Sequence, residues 1–201
     1  MKGHAMAGFF ASLFHKKADA SVSDSDEDAL VTSPADDSCA EPLQEERLPV
    51  RIELCSPADG AAKSLEEVAD DVFSTKVLGD GFAVTPSNGL IVAPVSGTIT
   101  TIANAKHAVG ITTESGIEAL VHIGIDTVQL EGGPFTLLVQ PGQRISAGEP
   151  IDQVDLAAVH AAGKLTDVIV VFTNADNVDA IDITAHGAVL AGSPVGALIT
   201  H

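Results

Sequence analysis

From about Pro49 to His201 the chain is a series of short apolar runs cut apart by turn residues. FAVTP, GLIVAP, GTITTI, GITT, LVHIGI, FTLLVQ, VIVVFT and PVGALI are all too short for a buried helix, and Gly, Pro, Asn or Asp stand between them. Runs of this length with such boundaries form strands. The chain holds 18 glycines, and aromatic residues make up only 3% of it, with no Trp or Tyr. The core must therefore be aliphatic, and the turns tight. The expected fold is all-β: an antiparallel β-sandwich or flattened barrel with quasi-symmetric strand-turn units and one or two short helical segments. SLEEVADDVF (64–73) reads as one or two helical turns. VDLAAVHAAGK (154–164) reads as a short helix capped near Asp155 and ended by Gly163.

Two internal echoes support the quasi-symmetry. CSPADG (55–60) resembles VAPVSG (92–97), a Pro-x-x-Gly turn entering a strand. RISAGEPI (144–151) resembles AVLAGSPV (188–195) at an offset of 44 residues.

The residues before Pro49 have a different composition. In residues 1–17, Met6, Phe9, Phe10, Leu13 and Phe14 recur at helical spacing, flanked by Lys2, Lys16 and Lys17. The pattern is that of a basic amphipathic helix suited to peripheral contact with an anionic membrane. Lys16 and Lys17 interrupt the apolar stretch just before Ala18-Asp19-Ala20, which argues against a secretory signal. Residues 18–48 hold ten acids against the single base Arg47 and read as a self-repelling linker. Residues 49–201 form the folded domain.

Net charge is −18, which repels nucleic-acid phosphates and excludes that class of partner. The two cysteines, Cys39 and Cys55, are too few for a disulfide framework and fit no zinc spacing, so no metal or other cofactor is expected. No apolar run approaches the roughly 20 residues that span a bilayer. A cytoplasmic setting is the expectation.

One run carries an ionisable group. In Glu118–Asp126, alternation places Ala119, Val121, Ile123 and Ile125 on one face and Leu120, His122, Gly124 and Asp126 on the other. The first face forms a core without His122, so the imidazole is expected on a mixed face that a partner can reach. KHAVGIT (106–112) is the preceding strand. A hairpin with a Glu114-Ser115 loop sets His107 opposite His122, and a Ser115-Gly116 loop sets it diagonally. An odd slip of register would separate the two rings. Two neutral imidazoles on one face can bind a metal, relay protons or hold a phosphoryl group. A metal lacks a third ligand at recognisable spacing, whereas phosphoryl transfer needs only positioning and charge stabilisation.

GIEALVHIGIDTVQLEGGPF (116–135), with AKHAVGI (105–111), KVLGDGFAVTP (76–86), APVSGTI (93–99) and PGQRISAGEPI (141–151), resembles the glucose-type enzyme IIA (EIIA) of the bacterial phosphoenolpyruvate-dependent sugar phosphotransferase system. The resemblance implies that His122 is phosphorylated and that His107 supports the phosphoryl group. It implies HPr as donor and a sugar-specific IIB domain as acceptor, with permeases or metabolic enzymes as regulatory targets. It also implies partner binding by an apolar collar at Val72, Phe73, Val77, Leu78, Leu120 and Val128, with Asp126 beside it. The sequence departs from the family at three places. Ala105 stands where a hydroxyl residue is usual, Leu120 where an aromatic is common, and Ala103 where a bulky docking residue is found.

The strongest rival is a biotinyl or lipoyl carrier domain, which shares the Pro-Gly turns. It requires a modifiable lysine after the second motif, and DQVDLAAV (152–159) has none. A non-phosphorylated regulatory binding module is the other alternative.

Overall fold

The computed structural model describes residues 49–174 and 178–200. The amphipathic segment 1–17 and the acidic linker 18–48 lie outside these residues. The described elements are β1 (Val50–Cys55), β2 (Gly60–Ser64), α1 (Asp71–Ser74), β3 (Asp80–Pro86), β4 (Leu90–Val92), β5 (Gly97–Ile102), β6 (Ala108–Thr112), β7 (Glu118–Ile125), β8 (Phe135–Leu137), β9 (Arg144–Ile145), β10 (Pro150–Val154), α2 (Leu156–Ala161), β11 (Leu165–Phe172), β12 (Ala180–Ile183), β13 (Gly187–Val189) and β14 (Pro194–Thr200). The runs between turn residues are strands, as the pattern requires. Both expected helices are present. Asp155 caps α2 by accepting from the Ala158 N–H, and Gly163 beyond it has a left-handed φ of 70°.

Eight strands form the main sheet, in the order β13-β2-β3-β11-β7-β6-β5-β9. Two three-stranded sheets, β1-β14-β12 and β4-β10-β8, accompany it. Every described pairing is antiparallel. No sheet closes on itself, so the architecture is a sandwich rather than a barrel. The larger core lies between the main sheet and its two companions. Phe82, Ile111, Val121, Ile123 and Val170 from the main sheet meet Leu54, Ile91, Ile151 and Leu198 from the others.

The opposite face of the main sheet is also apolar. Leu65, Val68, Phe73, Ala83, Ala103, Ala108, Leu120, Ile125, Ile169 and Val171 form a second buried cluster beneath α1. A fully buried Leu, Ile or Phe contributes about 1.5–3 kcal/mol, so this face is a core in its own right. The simple alternation of β7 breaks near its end. Gly124 adopts a φ of 77°, and Ile125 turns away from Ile123 to join the second cluster. A Cβ at Gly124 would lie 2.4 Å from the Thr127 Cγ2 and 2.8 Å from the Leu165 carbonyl oxygen. Only glycine fits there.

The sequence echoes correspond to repeated structure. Gly60 and Gly97, the last residues of the first pair, each open a strand. The second pair gives the β9–β10 and β13–β14 turns, with Gly148 at φ 83° and Gly192 at φ 75°. These turns touch at their glycines. A Cβ on Gly192 would lie 3.4 Å from the Gly148 Cα.

A buried acid strains this packing. The register of β10 shifts between Pro150 and Asp152, and the adjacent Ile151 and Asp152 are both fully buried. Burial pushes the Asp152 carboxyl up to about 6 from an ordinary 3.8. Nearby backbone groups of Gln153 and Thr136, and the Lys106 charge, oppose that rise. The folded protein therefore holds this proton more tightly than the unfolded chain. The acid's contribution to stability falls as pH rises from about 4 to about 6. At ~1.4 kcal/mol per pH unit this amounts to about 3 kcal/mol. Asp152→Asn is expected to be the more stable protein at pH 8 by up to that amount, with no advantage left near pH 3.5. Urea unfolding at both pH values checks this, and an equal gap at both contradicts it.

Candidate phosphotransfer site

His122 lies in the middle of β7, between two strands. It is registered with Ala108 of β6 and Ile169 of β11. The sequence suggested one of two hairpin registers, and the structure has neither. Thr112 pairs with Glu118, and the loop is three residues, Glu114-Ser115-Gly116. It closes through the Thr113 N–H to the Ile117 carbonyl at 2.9 Å and is completed by Gly116 at φ 83°. This is the odd slip expected to separate the rings, yet the His107 and His122 ring centroids lie 5.0 Å apart at 78°, edge to face. His107 escapes the rule because it precedes the regular strand. Lys106 takes a left-handed φ of 56°, and its N–H closes a turn on the Ala103 carbonyl at 2.7 Å. The chain thus leaves the pleat just before His107. The His107 carbonyl is then held by the Ile123 N–H at 2.7 Å.

The expected accessibility is also corrected. His107 is 1% exposed and His122 is fully buried. Alternation alone makes the second face mixed, but it carries the second cluster. The Phe73 ring centroid lies 5.0 Å from that of His122 at 53°. Phe73 is held by the short α1, where the Asp70 carboxylate accepts from the Val72 and Phe73 N–H groups at 2.9 and 3.3 Å. The segment is anchored by Lys76, whose Nζ lies 2.8 Å from Glu66 and 3.0 Å from Asp80.

Burial decides the protonation state of both rings. Desolvation depresses His122 to about 3, and the charge of His107 adds to the effect. The Gly124 backbone, acting through a hydrogen bond, works in the opposite direction. His107 is lowered too, chiefly by burial, and a hydrogen bond to the Ala105 backbone opposes this. Both imidazoles are neutral at pH 7, and His122 keeps a lone pair for attack. With a pre-formed phosphoryl donor, the reactivity of the His122 ring is expected to stay level from pH 8 down to about pH 4.5. An imidazole at the ordinary 6.5 loses about tenfold by pH 5.5. Single-turnover rates across that range, corrected for the donor's own titration, check this. A tenfold loss by pH 5.5 contradicts the buried neutral ring.

The other expected site residues differ in exposure. Val77 is 76% exposed, and Val72, Leu78 and Val128 are half-buried. Phe73 and Leu120, expected in the collar, are instead buried members of the second cluster. Asp126 is exposed, with a φ of 60°, and its carboxylate lies 3.9 Å from the Lys164 Nζ. One feature was missed in the sequence. Lys63 pairs with the nearly buried Asp167 at 2.8 Å, and Thr85 Oγ1 donates to the same carboxylate at 2.7 Å. Lys63, Ala83, Ile169 and His122 form one row across the sheet. The partners of this ion pair lie 104 residues apart in sequence, and no local signal reveals it. Among the described residues no cluster of His, Cys, Asp and Glu could hold a metal ion.

Residues 52–178 match the family described as "phosphoenolpyruvate-dependent sugar phosphotransferase system, EIIA 1". The chain belongs to the EIIA family. It is 39% identical over 140 residues to the glucose-specific EIIA component of Bacillus cereus, covering 70% of this chain and 85% of that protein. It is 51% identical over 143 residues to the glucose-specific EIICBA component of Streptococcus pneumoniae, covering 71% of this chain but 20% of that larger protein. This chain thus spans about a fifth of the length of its multi-component EIICBA relatives. The solved glucose permease IIA from Mycoplasma capricolum superposes with a TM-score of 0.65 at 35% identity, covering 74% of this chain and 96% of that one. EIIA proteins are phosphotransferase components of the sugar phosphotransferase system, and the all-β sandwich of this chain is the EIIA fold. A biotinyl or lipoyl carrier is not favoured by any of these likenesses. No described helix is long and apolar enough to cross a membrane.

Proposed function

We propose that this EIIA protein accepts a phosphoryl group from phospho-HPr on His122, stabilises it with His107, and passes it to a sugar-specific IIB domain. The observation that carries this reading is the contact of two neutral rings, 5.0 Å apart, in an apolar setting. A His122 nitrogen attacks phosphorus with its lone pair. One phosphorus–nitrogen bond forms as the donor's breaks, and the bonding pair returns to the donor imidazole. The Gly124 backbone favours the positive charge that the phosphorylated ring develops. His107 can present an N–H to the phosphoryl oxygens, the electrostatic support that such a transfer needs. Onward transfer repeats the step in reverse.

Docking falls to the collar at Val72, Val77, Leu78 and Val128, with Asp126 at its edge. Permeases or metabolic enzymes that respond to the phosphorylation state would use the same surface. Residues 1–17 are read as a peripheral contact with an anionic membrane, at the inner face of a cytoplasmic protein's cell membrane. The likeness to glucose-specific relatives favours glucose as the sugar served. Incubation with phosphoenolpyruvate, enzyme I and HPr should add the mass of one acid-labile phosphoryl group to the full chain. An unchanged mass, with HPr itself charged, rejects the proposal.

A further inference from the structure

The small sheet β1-β14-β12 ends at β1, which pairs on one side only, with β14. Its six residues, Val50–Cys55, make it the longest strand with an open edge among the described residues. An open edge presents unpaired N–H and C=O groups and is a template for another strand. Two backbone bonds show which groups those are. The Ser56 N–H donates to the carbonyl of Ser193, just before β14, whereas the Cys55 N–H donates to the Pro94 carbonyl at 2.9 Å. The extra residue at the register shift, Val195, belongs to β14, so alternation along β1 is unbroken. The N–H and C=O of Arg51 and Glu53 therefore turn the same way as the Cys55 N–H, away from β14. No described backbone group bonds them there. Val50, Arg51 and Glu53 line a groove of about 740 Å³ together with Ser96, Thr98 and Ala147, so the edge is open to an incoming strand.

The side chains select the partner. Ile52 and Leu54 belong to the larger core. Arg51 and Glu53 alternate with them, are exposed, and have no ion pair among the described residues. Two antiparallel copies of β1 can set outward-facing backbone groups opposite each other in a register centred on Arg51, Ile52 or Glu53. The first sets Arg51 against Arg51 of the second copy, and the last sets Glu53 against Glu53. Only the register centred on Ile52 sets Arg51 against Glu53, and it does so twice. Opposite charges across a strand pair stabilise it and like charges destabilise it. The same register sets Val50, which is 48% exposed, against Leu54 of the second copy. It ends with Cys55 facing Pro49. Pro49 has no N–H to leave unpaired, and the Cys55 N–H is already held by Pro94.

We propose that two copies of this chain associate through β1, antiparallel about a two-fold axis at Ile52. Arg51 of each copy exchanges both backbone bonds with Glu53 of the other, and the two small sheets join into one. The contact uses the same patch on both copies, so it closes as a dimer rather than growing into a fibre. The face that carries His107 and His122 lies across the main sheet from β1. The association leaves that face uncovered in both copies and does not depend on the function proposed for it.

A contact through one short strand belongs to the weak, transient class. Each copy carries a net charge of −18, so the association is measured at about 0.15 M salt, where charges more than ~8 Å apart are screened. Sedimentation equilibrium of the full chain from about 10 µM to about 1 mM is expected to show monomer and dimer with a dissociation constant on the order of 0.1 mM. Arg51→Glu and Glu53→Arg change exposed side chains, and circular dichroism confirms that both variants are folded. Each sets like charges opposite at two places, and each is expected to weaken self-association at least about tenfold. Mixed in equal amounts, the two variants restore opposite charges at both places, and the parent's association is expected to return.

A parent that stays monomeric at about 1 mM overturns the proposal. So does self-association unchanged by Arg51→Glu or Glu53→Arg, which puts the contact elsewhere in the chain. Variants that stay monomeric both alone and when mixed also overturn it, because the antiparallel register centred on Ile52 requires the mixture to pair.

Discussion

Exchange of His107 for glutamine is expected to leave charging by phospho-HPr within severalfold of the unmodified protein and to slow onward transfer to a IIB domain about a hundredfold. The asymmetry follows from what the substitution preserves. A glutamine amide retains an N–H donor of similar reach, but it cannot exchange a proton as an imidazole does. A phosphoryl group arriving on His122 still meets a hydrogen-bond donor. Its departure, with charge redistributing between the rings, loses a group that can change protonation state. Proton transfer by a positioned side chain typically supplies 10²- to 10⁴-fold. The two half-reactions can be measured separately by quenched flow, with charged HPr as donor and then with isolated IIB as acceptor. Onward transfer at the normal rate would remove His107 from the mechanism. Loss of both steps would make it a positioning residue for His122 itself.

The buried setting shapes the pH response of the fold as well. His122 holds a proton less tightly when folded than when unfolded, so its contribution to stability is lost as pH falls from about 6.5 toward about 3. Asp152 acts in the opposite sense between about 4 and about 6. The two groups oppose each other in the interval where both titrate. Stability is therefore flatter there than either group alone would make it, and the Asp152→Asn protein should show the underlying histidine slope.

The strands were legible because they depend on local pattern. VIVVFT and LVHIGI sit between turn residues, and β11 and β7 follow those runs. Asp155 and Gly163 mark the ends of a helix that forms between them. The echo at 144–151 and 188–195 identified two turns that meet in space through Gly148 and Gly192. What alternation could not give was the second buried face. A run such as Leu120-x-His122 reads as half polar whether or not another element covers it, and the cover is α1, some fifty residues earlier in the chain. The register was also beyond local reading. Two- and three-residue loops both suit a Glu-Ser-Gly sequence, and the choice moves every pair by one. The rings meet regardless, because the left-handed Lys106 sets His107 outside the pleat. The Lys63–Asp167–Thr85 cluster and the inward-turned Asp152 depend on cross-strand neighbours and on a bulge.

Replacement of His122 by glutamine should have the largest effect of all. Glutamine fills much of the imidazole's space beside Phe73 and His107 but offers no nitrogen lone pair that can attack phosphorus. No other described histidine shares its arrangement. His160 lies on α2, near Thr166, and His186 is outside the strands. The decisive measurement is the intact mass of the unmodified and His122→Gln proteins after exposure to phosphoenolpyruvate, enzyme I and HPr, with circular dichroism to confirm that both are folded. The expected result is a gain of one phosphoryl group in the former, lost on acid treatment, and none in the latter. A folded His122→Gln protein that still takes up the group would show that phosphate is carried elsewhere.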